Sequence, residues 1–350
     1  MRVIIEELEE YKKSLPGDIG KAVSDISFFV YAVHPGMRTA AVLDLLNRCP
    51  VDEVECFETG DEIATVLRGA EKTPDIIVVE GRDDGAGVAE MTGKFGCRIY
   101  SIGFDVRGLD KVIGVLRERG VRFITDAPLD YNGTRFISTT QSPNTGDTFW
   151  YVERKRGSKD YLFFQNATAA DVEKEIADAF KKHARLKTFN YMEGFDHVLY
   201  RVSHQQFMAA AMEVLAATPY TTIDITDLDE NDARLMSFRR GKKQPVLAML
   251  CARNEHGAPE EYVRAHGPRI QHVSWAVSDV AKVYNLQKKR GIVFASEAVQ
   301  GSEEDGIRQV YTTPSPCTGD VTEYVERSGS EHCLFPKHSV SGLFQDMPFA

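Results

Sequence analysis

The chain contains one segment twice, and this internal repeat constrains its fold more than any other feature. Residues 138–154 read STTQSPNTGDTFWYVER, and residues 311–327 read YTTPSPCTGDVTEYVER. The register continues upstream in both copies. It aligns DKVIGVLRERGVRF from Asp110 with AKVYNLQKKRGIVF from Ala281, IYSIGFDV from Ile99 with IQHVSWAV from Ile270, and, more loosely, ISFFVYAV from Ile26 with FDHVLYRV from Phe195. A repeat of this length predicts two halves built on one scaffold.

Three side chains of types that bind metal ions occur in the second copy but not at the aligned positions of the first. They are His197, His272 and Glu323, which align with Phe28, Ser101 and Trp150. The first copy therefore serves as an internal control on which residues the scaffold itself needs. Glu326 is a rival carboxylate, but it is repeated as Glu153, so we attribute it to the fold. The comparison predicts a single functional site in the second half.

Length and composition bound the class of protein. A chain of 350 residues suits two domains of ordinary size. Its net charge of −10 argues against a nucleic-acid binder, and no apolar run reaches the roughly 18 residues of a membrane span. The acidic N-terminus lacks a signal-peptide core, so we expect a cytoplasmic protein whose six scattered Cys are reduced thiols. The sequence leaves the oligomeric state open, with a homo-oligomer among the options.

The periodicity of apolar residues divides the chain into four parts. We predict a leader helix in residues 1–24, a first domain without a metal site in 25–157, a linker strand and helix in 158–190, and a catalytic domain in 191–350. Within each domain the period switches between the two residues of a strand and the 3.6 residues of a helix. The repeating unit is βαβββ. The sequence thus predicts an α+β protein in which each domain is a half-open barrel of paired βαβββ modules with outer helices.

Each of the three metal-competent residues lies inside a predicted strand. Side chains alternate between the two faces of a strand, so one residue from each of three strands can converge inside a barrel. Two His and one carboxylate on one face of a metal leave positions open for a bidentate substrate and O2, as in the facial triad of non-heme Fe(II) oxygenases. We therefore predict that His197, His272 and Glu323 are metal ligands.

The residues around these positions resemble motifs of the 4-hydroxyphenylpyruvate dioxygenase and 4-hydroxymandelate synthase family of the vicinal-oxygen-chelate superfamily. Asp196-His197-Val198 is similar to the family's first ligand strand, Gln271-His272-Val273 to its second, and TEYVER (residues 322–327) to its third. The order of the motifs and the domain layout agree over most of the chain, whereas the N-terminal half agrees in layout alone. The resemblance implies a fold of two tandem vicinal-oxygen-chelate domains.

The resemblance also implies a cofactor and a reaction. The family uses Fe(II), a small-molecule 2-oxo acid and O2. It couples the oxidative decarboxylation of the 2-oxo acid to hydroxylation of the same molecule, so that no separate 2-oxoglutarate is needed. No catalytic residue beyond the metal ligands is implied. We accordingly expect a non-heme iron dioxygenase.

Further positions correspond to those that line the family's substrate pocket. They are Ser237, Gln309, Tyr311 and Phe335, and Tyr311 stands where the family has a Phe. Two polar pocket positions of the family fall at Gly257 and within the apolar run LAMLCA (residues 247–252). The C-terminal GLFQDM segment (residues 342–347) is expected to form a lid helix. Because the polar set is altered, we expect the best substrate to be a 2-oxo acid other than 4-hydroxyphenylpyruvate.

Arg201 lies four residues after His197 on the same strand face, where the dioxygenase usually has Asn. Two interpretations of this residue compete. In one, Arg201 lies at the rim of the barrel and extends its charged end to solvent. In the other, its guanidinium pairs with a second acidic or polar group of the substrate.

Other functions remain open from the sequence. One is a hydroxymandelate synthase-like or a homogentisate-forming outcome, which differs in the carbon that is hydroxylated. Another is an extradiol-type dioxygenase, which would act on a catechol without loss of CO2. A third is a non-catalytic binding protein that uses the three residues to hold a ligand.

Overall fold

Two curled half-barrel sheets, one from each half of the sequence, organise the fold. The computed structural model describes residues 2–82, 87–131, 133–155, 167–241, 246–304, 306–328 and Phe335. Within these residues, helices pack mainly against the outer faces of the sheets, so the α+β class with two barrel-like halves is confirmed. No helix in the described parts of the chain is both long and apolar enough to cross a membrane.

The first half forms one sheet with the strand order β6-β7-β8-β5-β1-β4-β3-β2-β9. Its elements are α1 (Arg2–Ser14), β1 (Val23–Val33), α2 (Arg38–Arg48), β2 (Val51–Glu58), β3 (Glu62–Gly69), β4 (Asp75–Gly81), α3 (Val88–Phe95), β5 (Arg98–Val106), α4 (Leu109–Glu118), β6 (Leu129–Tyr131), β7 (Thr134–Ser138), β8 (Thr148–Glu153), β9 (Thr168–Ala170) and α5 (Lys174–His183). The two modules, each a strand, a helix and three further strands, join where β1 pairs antiparallel with β5.

The second half repeats this arrangement, with the strand order β11-β12-β13-β10-β14-β17-β16-β15. Its elements are β10 (Met192–Arg201), α6 (Phe207–Ala217), β11 (Thr221–Leu228), β12 (Ala233–Arg239), β13 (Val246–Ala252), α7 (Ala258–His266), β14 (Arg269–Val277), α8 (Val280–Lys289), β15 (Gln300–Ser302), β16 (Ile307–Tyr311) and β17 (Val321–Arg327). The expected C-terminal lid helix lies outside the described residues.

The hydrogen-bond register of the two sheets matches the alignment of the two sequence copies. Val30 pairs with Ser101 in the first sheet, as Leu199 pairs with His272 in the second. Gly103 likewise pairs with Trp150, as Ser274 pairs with Glu323. The structural counterparts of His197, His272 and Glu323 are therefore Phe28, Ser101 and Trp150, the residues with which they align in sequence.

Alternation along the strands separates two apolar environments in each half. On β10, Val198 and Tyr200 belong to a large cluster with the helices, and this cluster continues through both halves. Leu199 instead belongs to a smaller cluster on the inner face of the second sheet. His197 and Arg201 share the parity of Leu199, so the strand directs both of them to the inside of the half-barrel.

The Thr-Gly-Asp part of the repeated motif lies where the two halves meet. Gly146 has φ of +77°, and a Cβ there would lie 1.9 Å from the carbonyl oxygen of Pro268 in the other half. Its counterpart Gly319 has φ of +72°, and its Cβ would lie 2.9 Å from the carbonyl oxygen of Cys97. Both positions therefore require glycine. The Thr-Gly-Asp part of the motif thus builds the contact between the halves rather than the functional site.

Candidate metal centre

Three buried side chains from three strands meet on the inner face of the second sheet. His197 on β10 and His272 on β14 place their Nε2 atoms 3.1 Å apart. The Oε2 atom of Glu323 on β17 lies 3.0 Å from His197 Nε2 and 3.5 Å from His272 Nε2. Ligands held at right angles by bonds of about 2.1 Å are separated by about 3.0 Å. The three donor atoms thus have the spacing of one face of a metal coordination sphere.

A second layer of contacts fixes the orientation of His197. Its Nδ1 atom lies 2.7 Å from Oδ1 of the adjacent Asp196. Asp196 in turn accepts two hydrogen bonds from Arg327, at 2.8 and 2.9 Å. A carboxylate on the remote nitrogen sets the tautomer of a histidine, so that Nε2 presents its lone pair to a metal.

The charges of the cluster favour a cation in its centre. Burial acts to lower the pKa of His197, but the attraction of Glu323 and Asp196 prevails and raises it to about 9. Burial lowers the pKa of His272 to about 3. Burial acts to raise the pKa of Glu323, yet the neighbouring His197 charge lowers it. A positive charge beside Glu323 therefore stabilises the cluster. A divalent cation would supply a larger positive charge than the proton on His197 does.

Several polar atoms of these side chains form no hydrogen bond with the residues that the structure describes and could bind a metal instead. Within the described parts of the chain, Nδ1 of His272 and both carboxylate oxygens of Glu323 are buried without a hydrogen-bond partner of good geometry. Unsatisfied buried polar groups are costly, and most for a charged group. A metal bound to Glu323 would remove this cost for the carboxylate. Two imidazole nitrogens and one carboxylate are also a donor set that suits divalent iron.

In the first half, aromatic rings fill the corresponding space. The rings of Phe28 and Trp150 pack edge to face, with centroids 6.5 Å apart. The Trp150 ring also stacks on Phe136, at 5.7 Å. A Cβ atom at Gly103 would lie 2.0 Å from the Phe28 ring, so this strand position has no side chain in the first half. The scaffold thus folds with an apolar interior where the second half carries metal-competent groups.

The other residues that the sequence singled out also lie inside the second half-barrel. Ser237 on β12 and Gln309 on β16 are buried, with 2% and 1% of their surfaces exposed. The Tyr311 ring lies 5.6 Å from the ring of His272, and the Phe335 ring lies 5.0 Å from that of His197. Burial and the nearby Glu323 raise the pKa of Tyr311 well above its ordinary value, so its hydroxyl stays protonated.

Arg201 does not extend to solvent, and the interpretation of a rim arginine is wrong. Its side chain is 0% exposed, and its Nε atom donates to Oε1 of Gln271 at 2.7 Å. The error has a physical reason: strand parity specifies the face on which a side chain lies, but not how deeply the neighbouring elements cover it. Here α7 covers it, since the Tyr262 ring lies 5.9 Å from the guanidinium.

Sequence reasoning about the repeat missed the residues that surround the ligands. Asp196 and Arg327 lie within the first and third ligand motifs, yet they are not among the residues that the repeat predicts to be functional. The repeat contains a signal for them. The arginine is present in both copies, as Arg154 and Arg327, but its carboxylate partner lies on a different strand position in each. Arg154 pairs with Asp105 at 2.7 Å, but Arg327 pairs with Asp196, directly beside a histidine. The second half has therefore placed this carboxylate next to the candidate ligand.

Glu326, the rival carboxylate, serves the fold. Its Oε2 atom accepts a hydrogen bond from the backbone N–H of Val280 at the start of α8, at 2.9 Å. Its counterpart Glu153 accepts from the N–H of Gly108 at the start of α4, at 2.6 Å. Both carboxylates thus satisfy a free amide at a helix N-terminus. This explains why both copies contain the residue.

The chain is similar to known proteins in part of its sequence and in its fold. No model of a known protein family matches the chain. A stretch of 148 residues, 41% of the chain, is 24% identical to a 4-hydroxyphenylpyruvate dioxygenase of Dictyostelium discoideum and spans 39% of that protein's length. A mutant of 4-hydroxymandelate synthase from Streptomyces coelicolor superposes with a TM-score of 0.71 at 16% identity, over 92% of this chain and 97% of that one.

A more distant structural likeness points to the same architecture. The Mn(II)-bound glyoxalase from Novosphingobium aromaticivorans has a TM-score of 0.51 at 14% identity, over 88% of this chain and 83% of that one. The chain therefore has the fold of two tandem vicinal-oxygen-chelate domains, and it resembles 4-hydroxyphenylpyruvate dioxygenase in sequence and 4-hydroxymandelate synthase in structure.

Proposed function

We propose that the chain is an Fe(II)-dependent dioxygenase that decarboxylates a 2-oxo acid oxidatively and hydroxylates the same molecule. His197, His272 and Glu323 hold the iron. The observation that carries the proposal is the convergence of these three side chains in one half, at positions that Phe28, Ser101 and Trp150 occupy in the other. The similarity to a dioxygenase and to a hydroxymandelate synthase supports the reaction class.

The residues of the chain have distinct parts in this function. Bound iron supplies the redox chemistry with O2 that oxidative decarboxylation requires, which no amino-acid side chain provides. Asp196 holds His197 with its Nε2 atom toward the centre. Tyr311 and Phe335 place their rings against the two histidines and restrict water around the site. In the overall reaction one oxygen atom of O2 enters the new carboxylate and the other enters the hydroxyl group, while CO2 is released.

Ser237 and Gln309 supply polar groups inside the half-barrel, and we propose that they orient the substrate. Since this polar set differs from that of the family, the best substrate is a 2-oxo acid other than 4-hydroxyphenylpyruvate. Steady-state turnover of a panel of 2-oxo acids measures this directly. Conversion of 4-hydroxyphenylpyruvate with a kcat/KM above that of every other acid would contradict it.

The iron assignment is tested by the metal content of the purified full chain. We expect about one Fe(II) per chain after anaerobic loading, and loss of most of it in His197→Ala and Glu323→Ala, because each change removes one of the three proposed ligands. Glu326→Ala is the matched control. Glu326 lies on the same strand as Glu323, but its carboxylate caps α8 instead of facing the metal centre. Circular dichroism verifies that each variant is folded. Retention of iron in Glu323→Ala together with loss in Glu326→Ala would reverse the assignment.

A further inference from the structure

Arg201 places a positive charge inside the second half-barrel. It lies on β10 with the same parity as His197 and Leu199, and Leu199 belongs to the apolar inner cluster. The side chain is 0% exposed and is among the largest fully buried ones in the described parts of the chain. Arginine is rarely buried so completely, because removing a guanidinium from water costs several kcal/mol. Such a residue requires an explanation.

The first half shows that the scaffold does not need this arginine. Ala32 pairs with Val79 and Arg98, as Arg201 pairs with Leu250 and Arg269. Ala32 is therefore the structural counterpart of Arg201, and it belongs to the apolar interior of the first half. The same strand position thus contains a methyl group in the half without a metal centre and a guanidinium in the half with one. Arg201 follows the pattern of the three candidate ligands.

The contacts of Arg201 orient its guanidinium within the interior. Gln271 accepts a hydrogen bond from Nε at 2.7 Å, and the Tyr262 ring lies 5.9 Å from the guanidinium carbon. Burial lowers the pKa of Arg201 to about 10, although Tyr262 and Tyr311 act in the opposite direction. The group therefore remains charged at neutral pH, in surroundings that a nearby anion would make more favourable. Gln271 accepts the Nε hydrogen bond, and a guanidinium binds a carboxylate best in a bidentate geometry.

The position of Arg201 relative to the metal centre selects the part of a substrate that it meets. Four residues along a strand correspond to about 13 Å between the Cα atoms of His197 and Arg201. His272 pairs with Leu199, which lies between His197 and Arg201 on the same face of β10, so Arg201 and the metal centre face one interior. Apolar side chains on the inner faces of β12 and β13 line that interior, among them Leu235, Ala248 and Leu250. A molecule whose 2-oxo acid end lies at the metal thus extends toward the guanidinium with its far end.

We propose that the substrate is a 2-oxo acid with a second carboxylate at its far end, and that Arg201 binds this carboxylate. The inference rests on the proposed function, because it places the 2-oxo acid end at the three candidate ligands. It adds the substrate class and a specificity-determining residue. A monocarboxylic 2-oxo acid of the same length would place an apolar group against the buried guanidinium. The charge that attracts the diacid therefore disfavours the monoacid.

Anaerobic titration of the Fe(II)-loaded full chain tests the proposal, with the charge-transfer absorbance of the chelated 2-oxo acid as the signal. Each diacid is compared with its matched monoacid: 2-oxoadipate with 2-oxohexanoate, 2-oxopimelate with 2-oxoheptanoate, and 4-carboxyphenylpyruvate with phenylpyruvate. For at least one pair we expect the diacid to bind 30-fold or more tightly, the order of effect expected for a buried charge pair. Equal or tighter binding of the monoacid in all three pairs would overturn the proposal.

Variants separate the role of Arg201 from a general effect of charge. Arg201→Met should abolish the preference for the diacid, and Arg201→Lys should retain part of it, because lysine keeps the charge without the fork. Arg264→Met, on the exposed face of α7, is the control and should leave the preference unchanged. An equal loss of affinity for both acids in Arg201→Met would mean that Arg201 contacts the chelating end instead, and would overturn the proposal. If Arg201→Met fails to fold, Arg201→Lys and the wild-type pairs still decide.

Failure of the underlying function has a different signature. If the Fe(II)-loaded chain gives no charge-transfer band with any 2-oxo acid, monoacid or diacid, then the proposed dioxygenase function fails and this inference fails with it. If bands form but do not depend on the far carboxylate, the iron and 2-oxo-acid assignment stands and only the diacid inference is rejected.

Discussion

At the scale of single residues, the second half differs from the first at the inner face of the strands. His197, Arg201 and Glu323 have the counterparts Phe28, Ala32 and Trp150, which pack together as an apolar interior. Aromatic and aliphatic side chains are the ordinary content of such a barrel, whereas burial of the polar set in the second half costs a free energy of desolvation that the first half avoids. The internal repeat thus identifies candidate functional residues without any alignment of relatives.

Asp196 is expected to raise the metal affinity through His197. Asp196→Asn keeps the shape of the side chain but removes the charge that polarises His197, and it weakens the pair with Arg327. Loss of such an outer contact weakens metal binding about 10- to 100-fold, and we expect that range for Fe(II) or Zn(II) in competition with a chelator. Asp105→Asn is the matched control, because Asp105 pairs with Arg154 in the half without the centre. Similar affinities in the two variants would show that Asp196 has no special role.

At the scale of elements, the same strand position has opposite requirements in the two halves. On β5, Gly103 provides the space for the Phe28 ring. On β14, its counterpart Ser274 lies opposite Glu323. At this strand position, glycine leaves space for an aromatic ring in the first half, and serine faces a carboxylate in the second. This local exchange leaves the strand order and register of the sheet unchanged.

Gly103→Ala should destabilise the chain by about 1–3 kcal/mol, because the new methyl group meets the Phe28 ring in a packed interior. Gly93→Ala is the control: Gly93 lies on the exposed side of α3 with open space around it, so the change should stabilise by about 0.5–1 kcal/mol. Urea unfolding of the metal-free proteins measures both free energies. A Gly103→Ala protein as stable as the wild type would contradict the packing argument. Its metal affinity should be unchanged.

The sequence predicted the elements that alternate regularly, and it predicted poorly those defined by tertiary contacts. The period-two strands and the helices α6 and α8 follow from their apolar patterns, and the three candidate ligands follow from the repeat. The short strand β9 lies in the linker for which a strand and a helix are expected, but its sequence does not specify that it pairs with the edge of β2. The burial of Arg201 depends on α7, which covers the barrel from another part of the chain. Periodicity does not contain that information.

At the scale of the whole molecule, the two halves meet through buried polar contacts that follow the internal repeat. Arg98 donates to the carbonyl oxygen of Pro268 at 2.8 Å, and its counterpart Arg269 donates to that of Cys97, also at 2.8 Å. Tyr31 donates to Asp320 across the same interface, at 3.0 Å. The repeated Thr-Gly-Asp motif supplies Asp320 and its counterpart Asp147. The interface therefore joins the half with the candidate metal centre to the half without one through contacts that the repeat supplies from both sides.

This interface should make the stability of the chain depend on pH through Asp147. Its carboxylate is fully buried and pairs with Arg98 at 3.1 Å. Burial raises its pKa from 3.8 to about 6, although Arg98 acts to lower it. Between these values the folded chain holds the proton more tightly than the unfolded chain. The contribution to the free energy of unfolding is therefore greatest below about pH 4, falls by up to about 3 kcal/mol as the pH rises to about 6, and is constant above that.

Asp147→Asn removes this titration, because the amide has no proton to release and still accepts from Arg98. We expect the difference in unfolding free energy between wild type and Asp147→Asn to shift with pH, with the wild type relatively more stable at pH 4.5 than at pH 7. Urea unfolding of the metal-free proteins in the presence of a chelator measures this difference, and groups common to both proteins cancel from it. Asp320 has a raised pKa for the same reason of burial, so Asp320→Asn should show a shift of the same sign. A difference that stays constant over this pH range would mean that Asp147 is ionised in the folded interface as readily as in water.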